Sequence, residues 1–79
     1  MKGETDELLT CIVEHAGLYE STVGARDRCV VFVRVGSEAR MLVFDADVRD
    51  HLPVGSRVQL RYRASANDDT CTLLERKLL

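Results

Sequence analysis

The stretch RCVVFVRVGSEARMLVFD, residues Arg28 to Asp45, decides the fold. Two apolar, β-branched runs flank Gly36-Ser37: Val30, Val31, Phe32, Val33 and Val35 precede it, and Met41, Leu42, Val43 and Phe44 follow. Such runs, separated by two turn-forming residues, predict a β-hairpin. With Gly36 supplying the positive φ of a primed turn, Val35 is expected to face Glu38, Val33 to face Arg40, Val31 to face Leu42 and Cys29 to face Phe44. The other face then carries Arg34 with Ala39, Phe32 with Met41, and Val30 with Val43. Both faces are apolar at mid-strand, whereas an ordinary half-buried antiparallel hairpin alternates apolar and polar. One face is therefore expected to line the core and the other to be covered by the curl of the sheet or by a partner.

Working outward, Glu7 to His15 (ELLTCIVEH) reads as a strand with Leu9, Cys11 and Val13 on one side and Leu8 and Ile12 on the other. It also reads as a helix grouping Leu8, Leu9, Cys11, Ile12 and His15, capped by Thr5 or Asp6 and stopped by Gly17. The β-branched Thr10, Ile12 and Val13 favour the strand. Residues 1 to 6 are polar and expected to fray. Residues 16 to 27 read as a long loop, with Tyr19 its aromatic residue. Beyond the hairpin, Asp45 or Asp47 can cap one or two helical turns through Val48 to Leu52, which Pro53 ends. Gly55-Ser56 leads into Arg57 to Ala64, where Val58, Leu60, Tyr62 and Ala64 alternate with Arg57, Gln59, Arg61 and Arg63. One face should be buried and the other a strip of three arginines. A turn at residues 65 to 69 leads into a last strand from Thr70 to about Lys77.

The expected order is strand, long loop, hairpin, short helix, strand, turn, strand. Along residues 7 to 77, and most tellingly in DVRDHLPVGSRVQLRYR (residues 47 to 63), this resembles the OB-fold. The resemblance implies an all-β domain, mainly β with one short helix, built as a small five-stranded antiparallel barrel with the helix between strands 3 and 4. A small SH3-like barrel or another five-stranded roll gives the same order of elements.

Seventy-nine residues are expected to form a single domain with a simple core. The start MKGETDELL lacks the basic, apolar and small-residue regions of a signal peptide, and the longest apolar run is too short to span a membrane, so a cytoplasmic protein is expected. Cys11, Cys29 and Cys71 are odd in number, far apart and without CxxC or a His at metal spacing, which predicts reduced core residues and no metal site. The formal charge is −2 but unevenly placed. Residues 1 to 25 sum to −4, residues 26 to 63 to +3, and nine of the eleven basic side chains are Arg, whose planar fork suits phosphate.

No phosphate-loop, dinucleotide, zincin or serine-hydrolase motif occurs, and His15 and His51 sit in different elements with no recognisable nucleophile. Neither an enzyme nor a cofactor is expected. Two non-enzymatic readings follow. The OB resemblance implies ligands across the second and third strands, between the first long loop and the last turn. In this chain those positions are Tyr19, Arg26, Arg28, Phe32, Arg34, Arg40, Phe44 and Asn67, a surface for weak single-stranded nucleic-acid binding. The alternative is a protein-interaction or assembly module, a homodimer or a subunit of a larger complex, whose partner covers the surplus apolar surface.

Overall fold

The computed structural model describes residues 6–19, 28–66 and 69–79, and of Tyr19 the backbone only. Five strands follow one another along the chain: β1 (Asp6–Tyr19), β2 (Arg28–Val35), β3 (Glu38–Phe44), β4 (Arg57–Ala64) and β5 (Cys71–Leu78). They form one closed sheet in the order β1-β2-β3-β5-β4, with β4 returning to β1. Among the described residues the one helical element is a 3-10 turn, Arg49–His51, between β3 and β4.

The β2–β3 hairpin has the expected register at every position from Cys29 opposite Phe44 to Val35 opposite Glu38. Gly36 has φ 63° and Ser37 does not share the positive φ, the arrangement of a type II′ turn, whose twist matches that of the strands. Cys29, Val31, Val33, Leu42 and Phe44 are buried, so this face lines the core.

β1 is a strand, which settles the choice between strand and helix at residues 7 to 15, and it continues through residues 16 to 19, where a loop was expected. Its fourteen residues are well above the five or six of a common strand because two neighbours share it. Asp6 to Ile12 pair with β4, and Ile12 to Tyr19 pair with β2. The chain crosses from one neighbour to the other at Val13, whose N–H donates to the Ser56 carbonyl (2.9 Å) while its own carbonyl accepts from Gly55 N–H (2.7 Å). The register with β2 slips between Val13 and His15, leaving Glu14 as the extra residue of a bulge.

β4 alternates as its sequence demands: Val58, Leu60 and Tyr62 are buried. Tyr62 meets Phe44 edge to face (centroids 6.4 Å apart, 79° between planes) and donates its hydroxyl to Glu7 Oε1 at 3.3 Å. Ala64, on the same parity, is exposed. Cys11, Cys29 and Cys71 are free thiols in the core; burial raises the pKa of Cys11 and pushes that of Cys71 up to about 11.

Two expectations need correction. The helical segment is only the Arg49–His51 turn: the Asp47 carboxylate accepts from Arg49 N–H (3.1 Å) and again from Arg49 Nε (2.9 Å) and Nη2 (2.8 Å), and Pro53 follows too soon for a second turn. The sheet is not wholly antiparallel, since β3 and β5 meet in parallel at Phe44 and Cys71. On the other face of β4, Arg61 reaches Asp6 (3.2 Å) and Glu75 (3.1 Å), and Arg63 reaches Asp6 (2.8 Å), so carboxylates from both neighbouring strands pair with two of the three arginines of the strip.

Candidate functional site

The outward face of β2 carries Arg28, Val30, Phe32 and Arg34, because Cys29, Val31 and Val33 between them point inward. Cross-strand partners share a face, so Val30, Phe32 and Arg34 each extend into a row over three strands. His15, Phe32 and Met41 form the central row, with Gly17, Val30 and Val43 on one side of it and Ile12, Arg34 and Ala39 on the other. Phe32 is 42% exposed and Met41 57%, while Val30 and Val43 are half-buried. The His15 and Phe32 rings lie 6.1 Å apart at 41°. This is the apolar face for which a cover was expected, and among the described residues it stands open.

The bulge creates the central row. Without the extra residue at Glu14, strict alternation after the inward Val13 would turn His15 into the core. With it, His15 faces outward beside Phe32, and Ala16 and Leu18 take up the inward positions beside Val31 and Cys29. The displaced Glu14 side chain crosses to β2 and holds Arg34, with Oε2 accepting from Nε at 2.7 Å and Oε1 from Nη2 at 3.4 Å. That pairing raises the Arg34 pKa and, on an exposed surface screened by water, is an exchangeable contact.

The eight residues singled out from sequence do not form one surface. Phe32, Arg28 and Arg34 share the outward face of β2. Phe44 has no exposed area and packs on Tyr62, so it is a core residue and offers no ring to a ligand. Arg40 pairs with the inward Val33, which puts it on the other parity from Arg34; its charge acts on Cys11 and Tyr62. Tyr19 ends β1 opposite Arg28 rather than standing in a loop. Arg26 and Asn67 lie outside the described residues.

His15 and Met41 were missed as site residues. Met41 was legible as the hairpin partner of Phe32, whereas placing His15 requires the bulge, which leaves no mark in EHAG. Among the described residues no group of three or more His, Cys, Asp or Glu is placed to hold a metal, and no helix is long and apolar enough to cross a membrane. No family model matches the chain, and no curated protein or solved structure matches it significantly. What the outward face of β1, β2 and β3, a platform of rings and a thioether, can bind follows from its own chemistry.

Proposed function

We propose that this protein is a non-enzymatic binding module that takes single-stranded nucleic acid on the outward face of β1, β2 and β3. The observation that carries the reading is the row His15, Phe32, Met41, two rings and a thioether open to solvent across three adjacent strands. Bases stack on such rows without regard to sequence, each for about 1–3 kcal/mol. Arg28 and Arg34 stand on the same strand at either side of Phe32, positioned to meet phosphates of a strand laid along β2. Both the strand order β1-β2-β3-β5-β4 and the short helical turn between β3 and β4 are compatible with the OB resemblance, which places ligands on this region of the sheet.

Affinity should be micromolar or weaker. The chain is net acidic, one of the two arginines is already paired with Glu14, and few phosphates can be neutralised. Fluorescence anisotropy with a labelled mixed-sequence oligonucleotide tests the reading. Phe32→Ala should weaken binding about five- to 150-fold, the loss of one stacked base. Its melting temperature should fall by no more than a few degrees, since a cross-strand contact contributes about 0.2–1 kcal/mol. Equal binding by the wild type and Phe32→Ala would exclude the platform as the site.

A further inference from the structure

A second surface, distinct from the platform, lies along the edge of β3. Residues of an antiparallel hairpin alternate between pointing their N–H and C=O at the partner strand and away from it. In β3 the outward-pointing set is fixed by two bonds: Asp45 N–H donates to the Cys71 carbonyl (2.9 Å), and the Cys71 thiol donates to the Val43 carbonyl (3.4 Å). Ala39 and Met41 have the same parity as Val43 and Asp45. Among the described residues β5 meets β3 only at Phe44, because it starts there and runs on in the same direction, away from Glu38. Met41 to Val43 are flanked by Asp69 and Thr70 across a groove. Among the described residues the Glu38–Arg40 end of the strand is left as a sheet edge, the kind of edge on which a further strand can add.

Charge selects the occupant. Glu38 and Arg40 stand two residues apart, on either side of Ala39, both are exposed, and neither has an ion pair among the described residues. We propose that this edge pairs with the same edge of a second copy of the chain, antiparallel and centred on Ala39. A twofold axis there sets Glu38 of each copy directly opposite Arg40 of the other, two reciprocal ion pairs from one repeated contact. The two Ala39 residues exchange their free N–H and C=O groups at the axis, where the small side chain presents no obstacle. Centring the axis on Arg40 would instead set like charges face to face, and centring it on Met41 would push the second strand into the stretch flanked by Asp69 and Thr70. The outward faces of the two copies then join into one sheet surface across the dimer.

Sedimentation velocity of the intact chain, from low micromolar to millimolar concentration, tests this. The wild type should self-associate reversibly. Glu38→Arg alone and Arg40→Glu alone should each weaken association about tenfold or more, because like charges then face each other twice. Mixing those two variants in equal amounts should restore it, since every facing pair again has opposite signs. Ala39→Pro removes the N–H that points off the sheet and should abolish association without lowering the melting temperature by more than a few degrees; should it fail to fold, the mixing experiment decides. A wild type that stays monomeric to millimolar concentration overturns the proposal, and so does an association that the mixed variants fail to restore.

Discussion

At the scale of single residues, the largest consequences belong to the side chains that alternation hides. Leu60 has no exposed area, lies at the centre of β4, and pairs with Leu9 on one side and Arg76 on the other. Leu60→Ala deletes its buried methyl groups and leaves a void that a small closed sheet cannot collapse around, at a cost of about 2–5 kcal/mol. That is a large share of the roughly 5–15 kcal/mol available to a domain, and in a thermal melt it should lower the midpoint by about 10 °C or more. Asp47 contributes differently. Its hydrogen bonds from Arg49 lower its pKa from 3.8 to about 2, so the ionised form is favoured by folding. A depressed folded pKa contributes stability that is present above pH 3.8 and is lost as the pH falls towards 2. Urea melts of the wild type and Asp47→Asn should therefore differ most near neutrality and converge at about pH 2.

At the scale of elements, the hairpin was legible throughout, and β1 only over residues 7 to 15. A two-residue loop with Gly36 leaves one possible register between β2 and β3, and a slip of one residue would turn Arg34 and Arg40 over, so the sequence contains the whole pairing. β4 was legible for the same reason. β1 was read too short because residues 16 to 19 (AGLY) contain a glycine and little alternation, and the pairing that makes them a strand comes from β2, far along the chain. The bulge at Glu14 was equally hidden: nothing in VEHAG distinguishes a residue that slips register from one that does not. The ion pairs of Arg61 and Arg63 were not legible, because their carboxylate partners, Asp6 and Glu75, sit in strands whose register the sequence does not set. Glu14 holding Arg34 gives this scale its own prediction. Glu14→Gln removes the competing carboxylate, so the guanidinium is released to phosphate. Oligonucleotide affinity should rise a few-fold and the salt dependence of binding should steepen, readable as the slope of log affinity against log salt concentration.

At the scale of the whole molecule, one long strand shared between two neighbours closes the sheet and leaves an outward face with apolar and aromatic side chains at its centre. The proposed site for single-stranded nucleic acid is this face, and not the arginines of β4. An amide-shift titration of isotopically labelled protein with a short mixed-sequence oligonucleotide, first at low and then at physiological salt, tests it most directly. Shifts should concentrate at His15, Gly17, Val30, Phe32, Arg34 and Met41 and shrink steeply as salt is added, with Gln59, Arg61 and Glu75 unmoved. No shift at low salt, or shifts centred on β4 and β5, would contradict it.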